Sequence, residues 1–135
     1  MGKADGQPVV LVADDEPALL ELFQLALGSA YVVLTATDGD TAWDLIQAHQ
    51  PDVVLLDVQL PRRSGRALAA AIQADPALAR TAVVLVTGLS EADARLTADA
   101  TGAVGYLTKP VRIQDLLAAV EQAVTAARST TERRR

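Results

Sequence analysis

The sequence predicts an α/β protein in three layers, a parallel sheet held between helices, and three observations carry that prediction. Five short apolar runs, rich in β-branched residues, recur along the 135 residues: Val9–Ala13, Tyr31–Ala36, Val53–Leu56, Ala82–Val86 and Val104–Leu107. Stretches with apolar residues at helical spacing follow each run, so the order is strand then helix, repeated five times. No repeat, linker or low-complexity segment interrupts this pattern before Arg128. Runs of this length read as strands buried on both faces. Short connections and right-handed crossovers then stack them as a parallel sheet with helices on either side.

Each element has its own signals. The first run leads through Asp14 and Asp15 into a helix starting near Glu16, with Pro17 in its first turn and Asp15 as the expected N-cap. Leu19, Leu22, Phe23 and Ala26 form its apolar face, and Gly28 stops it. The second run ends in Thr37 and Asp38. A helix over about Asp40 to His49 follows, with Ala42, Leu45 and Ile46 inward and Pro51 closing it. The third run meets Asp57. The next helix begins near Ser64, carries Leu68, Ala69 and Ile72, and ends at Asp75–Pro76, because a residue before proline avoids the helical region.

The fourth run meets Thr87, and Ser90 caps a helix with Glu91 and Asp93 in its first turn, where carboxylates suit the dipole. The fifth run passes through Tyr106 to Lys109 and Pro110. The last helix, about Val111 to Ala127, places Ile113, Leu116, Leu117, Val120 and Val124 on one face. The fourth helix is the exception, since Leu96 is its single sizeable apolar anchor among alanines and threonines. Less apolar area to bury predicts the loosest element, one that moves on activation.

These boundaries divide the chain into a disordered N-terminus (1–8), one domain (9–127) and a C-terminal tail (128–135). Half of the residues are hydrophobic, which suits a globular domain. With no cysteine there is no disulfide framework and no thiolate metal site. The net charge of −5 argues against a nucleic-acid groove, which needs a basic stripe. The one basic cluster, Arg133–Arg135, reads as a fraying terminus. Met1–Pro8 is polar, unlike a signal peptide, and no apolar run approaches the roughly 20 residues that span a bilayer. A cytoplasmic location with no membrane contact is the resulting expectation.

Four runs stop at a residue that phosphate chemistry uses. The carboxyl ends of parallel strands share one edge, where ligands bind. Asp14, Asp15, Asp57, Thr87 and Lys109 should therefore meet in one crevice, with the first and third strands adjacent if the order is 2-1-3-4-5. Three carboxylates together repel unless a cation neutralises them. Oxygen ligands without His or Cys favour Mg²⁺ over Zn²⁺. Taken singly, the acidic pair reads equally well as a helix cap, Lys109 as a solvated lysine, and Thr87 as an ordinary strand residue. Gly88, next to Thr87, leaves room for a ligand to approach the backbone.

The segments Val12-Ala13-Asp14-Asp15-Glu16, Leu55-Leu56-Asp57-Val58-Gln59-Leu60-Pro61 with Gly65, Val86-Thr87-Gly88, and Gly105-Tyr106-Leu107-Thr108-Lys109-Pro110 resemble the signature of response-regulator receiver domains of two-component signalling. The resemblance runs from about Val9 to Ala127. It implies a flavodoxin-like (βα)5 sandwich of strand order 2-1-3-4-5, as in chemotaxis regulators. It further implies that Asp57 is the phosphoacceptor, and that Asp15, Asp14 (through water), Asp57 and the Gln59 main-chain carbonyl hold Mg²⁺. Thr87 and Lys109 would contact phosphoryl oxygens, Tyr106 would switch inward as Thr87 moves, and the Lys109–Pro110 bond would be cis.

The implied partners are a sensor histidine kinase or phosphotransfer protein as donor and a downstream effector acting in trans. The face of the fourth helix, fifth strand and fifth helix is the expected partner surface, and the one through which a homodimer is possible. The implied module turns over no substrate beyond promoting its own phosphorylation and dephosphorylation. Gly88 stands where the family usually has alanine, and Gln59 sits where a side chain tunes hydrolysis. Arg62 and Arg63 are read as solvated, Trp43 as packing of the second helix, and His49 as a surface residue at a helix end. Two alternatives remain: a constitutive pseudo-receiver that binds without phosphorylation, and a flavodoxin-like enzyme. The second lacks support, since Asp14-Asp15-Glu16 would repel a flavin phosphate and no Walker loop is present.

Overall fold

The computed structural model describes residues 6–133, with side chains through Ser129. In chain order the elements are β1 (Val9–Ala13), α1 (Pro17–Leu27), β2 (Val32–Ala36), α2 (Gly39–His49), β3 (Val53–Leu56), α3 (Gly65–Ala74), a 3₁₀ turn (Pro76–Leu78), β4 (Ala82–Thr87), α4 (Glu91–Thr101), β5 (Gly105–Thr108) and α5 (Ile113–Arg133). All strand pairs are parallel, in the order β2-β1-β3-β4-β5. The register sets Ala13 beside Leu56, Leu56 beside Leu85, and Thr87 beside Thr108. The carboxyl ends of β1, β3, β4 and β5 therefore form one rim.

Alternate residues of the central strands feed two cores. On one face Val10, Val12, Val53, Leu55 and Val84 pack with Phe23 and Leu27 of α1 and Leu116 and Val120 of α5. On the other, Leu11, Val54, Leu56 and Leu85 pack with Ile46 of α2, Leu68 and Ile72 of α3 and Ala98 of α4. Burying side chains of this size stabilises the fold by about 1.5–3 kcal/mol each. Full burial on both faces holds for β1, β3 and β4, whereas β2 and β5 are half-buried. They are the sheet's two edges, with a neighbouring strand on one side alone.

The helices correct several expectations. α1 begins at Pro17, but Asp15 does not cap it. Glu16 occupies the N-cap position without a side-chain cap bond, and Asp14 Oδ1 accepts from the Glu16 N–H at 2.9 Å. Gly28 ends α1 with a right-handed φ of −64°, so its special conformational freedom goes unused. Leu96 is no anchor: it is 66% exposed, and α4 buries Ala94, Thr97 and Ala98 instead. Size alone favours Leu96, whereas the turn of the helix presents the small residues inward.

Leu22 of α1, expected on its apolar face, and Ile113 and Leu117 of α5 are likewise exposed, while Leu20, Phe23 and Leu27 of α1 and Leu116, Val120, Ala123, Val124 and Ala127 of α5 line the core. α5 also continues through Arg128 to Arg133, so the expected tail is helical that far. Of the segment expected to be disordered, Met1–Asp5 lies outside the described residues, as do Arg134 and Arg135 of the tail. Gly6 and Pro8 are held, since the Gly6 carbonyl accepts from the Arg128 guanidinium at 2.8 Å and the Pro8 carbonyl from Val32 N–H at 2.9 Å. No described helix is long and apolar enough to cross a membrane.

Candidate functional site

Each residue picked out at a strand end reaches the same rim. Asp14 leaves β1 almost fully buried, with its backbone N–H donating to the Ala36 carbonyl of β2 at 3.0 Å. Asp57 leaves β3 buried, its N–H bonded to the Ala13 carbonyl at 3.0 Å. Asp15 is exposed beside them. Carboxylate oxygens of Asp14, Asp15 and Asp57 lie within 4.8 Å of one another. Two aspartates of this trio have one oxygen committed to local turns: Asp14 Oδ1 to Glu16 N–H, and Asp57 Oδ1 to Gln59 N–H at 3.0 Å. Those bonds orient the second oxygens into the crevice.

Lys109 answers the charge. Its Nζ is 2.8 Å from Asp14 Oδ2, 3.0 Å from Asp57 Oδ2 and 3.5 Å from Glu16 Oε1. The Lys109 backbone N–H donates to the Thr87 carbonyl at 2.8 Å, and the Lys109–Pro110 bond is cis. Burial alone would lower the lysine's pKa, but its contacts with Asp14 and Asp57 outweigh that and raise it, keeping the ammonium charged. Asp14 shows the opposite balance. Burial, with a smaller contribution from the Asp57 charge, pushes its pKa up despite Lys109 and the Glu16 N–H. Apart from the ion pair with Lys109, the buried Asp14 Oδ2 receives no aligned hydrogen bond.

An all-oxygen donor set, closer together than like charges tolerate, with a buried oxygen short of donors, fits a hard divalent cation. Thr87 ends β4 buried, and its Oγ accepts from Leu89 N–H at 3.2 Å. Gly88 is exposed, and a Cβ there would meet nothing within 4 Å, so no close packing demands glycine at this position.

Two glycines hold the rim's shape. Gly65 starts α3 so close to β3 that a Cβ would collide with the Asp57 carbonyl oxygen, and its N–H bonds to Val58 O at 2.9 Å. Gly39 starts α2 against the loop after β3, where a Cβ would strike the Arg63 carbonyl, and its N–H donates to Pro61 O. Asp38 caps α2 through Thr41 N–H at 2.7 Å, which holds its carboxyl below the usual carboxylate range. Arg63 is not simply solvated. Its guanidinium lies over the Trp43 ring, 5.5 Å from the centroid, and 3.8 Å from Asp40. Arg62 is exposed, at a positive φ of 71°. Trp43 packs on the α2 side of the core and His49 is exposed, as the sequence suggested.

Tyr106 is half-buried on β5, its ring against the α4-side core. Its hydroxyl accepts from Arg95 Nε at 3.3 Å and donates to Glu91 Oε2 at 3.4 Å. Both partners belong to α4. Sequence reasoning missed this pair, and it missed the reach of Glu16 toward Lys109. The available signal for Glu16 was its position, since glutamate is not among the favoured N-caps.

A family model described as the response regulator receiver domain matches residues 10–121. The transcriptional regulatory protein PdtaR of Mycobacterium tuberculosis is 38% identical over 125 residues, covering 90% of this chain and 59% of PdtaR. The probable transcriptional regulatory protein TcrX of the same organism is 38% identical over 120 residues, covering 87% of this chain and 50% of TcrX. The chain thus spans 59% and 50% of the length of these two relatives. Among solved structures, the signal receiver domain of an HD domain-containing protein from Pseudomonas fluorescens aligns over 98% of both chains, with a TM-score of 0.86 and 27% identity. Rim geometry, sheet order and sequence agree, and the chain belongs to the response regulator receiver domain family, the signalling module of two-component systems.

Proposed function

We propose that this receiver domain is switched by phosphorylation of Asp57. The observation that carries the reading is the convergence of Asp57 with Asp14, Asp15 and Lys109 on one rim. Phosphoryl transfer needs in-line positioning and charge neutralisation more than covalent machinery. Asp57 Oδ2 is the nucleophile, since its other oxygen is committed to the Gln59 N–H. It needs no base, because a carboxylate is ionised at neutral pH. Mg²⁺, held by Asp14, Asp15, Asp57 and the main-chain carbonyl of Gln59, would supply the positive charge that lets a phosphoryl group approach a carboxylate.

Lys109 then pairs with a phosphoryl oxygen and the Thr87 hydroxyl donates to another. Drawing Thr87 toward the phosphate pulls on Gly88–Ser90 and so on α4, whose Glu91 and Arg95 hold the Tyr106 hydroxyl. Tyr106 is the residue that reads this motion, turning inward as α4 shifts, and the face of α4, β5 and α5 is remodelled for an effector or a second copy. The phosphodonor is a phosphohistidine on a sensor kinase or phosphotransfer protein, which goes with a cytoplasmic location. The domain promotes its own phosphorylation and dephosphorylation and has no other substrate.

Incubation with Mg²⁺ and a small acyl phosphate, followed by intact-mass measurement, tests the reading. One phosphoryl increment is expected, absent in Asp57→Asn and absent when Mg²⁺ is chelated. No increment in the wild-type protein, under conditions where it stays folded, overturns it.

A further inference from the structure

Glu16 breaks a local rule. It sits at the N-cap of α1 with extended dihedrals, φ −95° and ψ 107°, and its side chain makes no cap bond. Ser, Thr, Asp or Asn would satisfy a helix N–H there. Asp14 Oδ1 instead accepts from the Glu16 N–H, while the Glu16 carboxylate, mostly exposed, lies 3.5 Å from Lys109 Nζ. A residue that forgoes a local stabilisation is expected where function places a different demand on it.

Electrostatics states that demand. Lys109 neutralises Asp14 and Asp57 through its two shortest contacts. A divalent cation bound by the same carboxylates carries like charge and repels the ammonium. The hold of these two oxygens on Lys109 then weakens, while the ammonium is still wanted at the rim for the phosphoryl group. Glu16 is a third carboxylate already within ion-pair reach, and it stands outside the trio whose oxygens converge. We propose that Glu16 is a positioning residue for Lys109. Its carboxylate takes over the ammonium when a divalent cation occupies Asp14, Asp15 and Asp57, and holds it at the crevice mouth until a phosphoryl oxygen arrives. This role rests on the phosphoacceptor reading above. A Glu16 carboxylate that gains contact with Lys109 on cation binding favours the cation-bound state and so strengthens cation binding.

The test is Mg²⁺ binding itself, by titration calorimetry at physiological ionic strength with no phosphodonor. Glu16→Gln removes the charge. Glu16→Asp keeps the charge but withdraws it from Lys109, and aspartate also caps the helix. Both substitutions are expected to weaken Mg²⁺ binding by about two- to five-fold, the range a part-exposed ion pair supports. Glu16→Asp should at the same time raise the thermal midpoint, so weakened binding cannot be laid to misfolding. In a Lys109→Ala background, Glu16→Asp should leave Mg²⁺ affinity unchanged. The proposal is overturned if Glu16→Asp binds Mg²⁺ like the wild type, or if it weakens binding equally without Lys109. If the wild-type protein binds no Mg²⁺ at all, the phosphoacceptor reading falls first and this one with it.

Discussion

The two ends of the sheet hold buried aspartates in opposite conditions. At the amino end Asp52 is 7% exposed, and its oxygens are answered: Oδ2 accepts from Val9 N–H at 2.8 Å and Oδ1 faces Arg80 at 3.7 Å. Thr81 beside it donates its hydroxyl to the Pro51 carbonyl at 2.8 Å. At the carboxyl end Asp14 and Asp57 are 1% and 5% exposed, yet share one lysine with Glu16 and crowd Asp15. Burial is the same and the partner supply is not. Burial of a carboxylate therefore does not by itself mark a functional site. A surplus of negative charge over the donors facing it does, because the fold tolerates that cost only where a ligand relieves it.

The largest expected effect separates the two ends by sign. Asp52→Ala strands the Val9 N–H in a buried place, and chemical denaturation should show a loss of about 1–3 kcal/mol. Asp57→Asn removes one charge from a repelling cluster and leaves Lys109 its pairs with Asp14 and Glu16. Without Mg²⁺ it should gain about 1 kcal/mol, the usual scale for relieving a functional site. Equal destabilisation by both would erase the distinction.

A smaller effect sharpens the contrast through linkage. Mg²⁺ at ten times its dissociation constant should stabilise the wild-type protein by about 1.4 kcal/mol near neutral pH. The pKa of Asp14 is raised in the fold, so its ionised form costs stability at neutral pH. That cost is relieved as pH falls through the raised value toward the unfolded one. Protonation also removes a ligand. Mg²⁺ stabilisation should therefore shrink over the same acidic interval in which the metal-free protein sheds this penalty. Thermal melts with and without Mg²⁺ across pH 4–7.5 measure both. Asp52→Asn should leave the Mg²⁺ increment intact.

The smallest effect concerns how the charged rim connects to α4. That helix buries alanines and a threonine, while α5 buries Leu116, Val120 and Val124. Amides of α4 should exchange faster than those of Leu116–Ala127. Ser90→Ala, which removes the hydroxyl that accepts from Asp93 N–H at 3.2 Å, should cost about 1 kcal/mol and quicken exchange in α4 first. Protection of α4 equal to that of α5 would count against a mobile readout helix.

Much of the rim is legible in the sequence, because strand ends are visible there. An apolar run that stops at Asp, Thr or Lys declares where the sheet ends and which group is there. Leu22, Leu96, Ile113 and Leu117 read as inward in the sequence but are exposed, because apolar spacing does not say which face the sheet covers. α4 turns Ala94 and Ala98 inward and Leu96 out. Arg63 reads as solvated in the sequence because its partners, Trp43 and Asp40, lie on α2, 20 or more positions away, and Gly39 brings that helix against the loop that carries Arg63.

The sequence alone determined the alternation of strand and helix, and with it the kind of chemistry at the rim, because hydrophobic period and charge placement are local properties. The tertiary structure decided which charges share a partner. It set Lys109 among Asp14, Asp57 and Glu16, gave Asp52 its own donors, and joined Tyr106 to Glu91 and Arg95. Those pairings follow from strand order and helix docking, and Coulomb energy depends on distances in space that residue spacing along the chain does not encode.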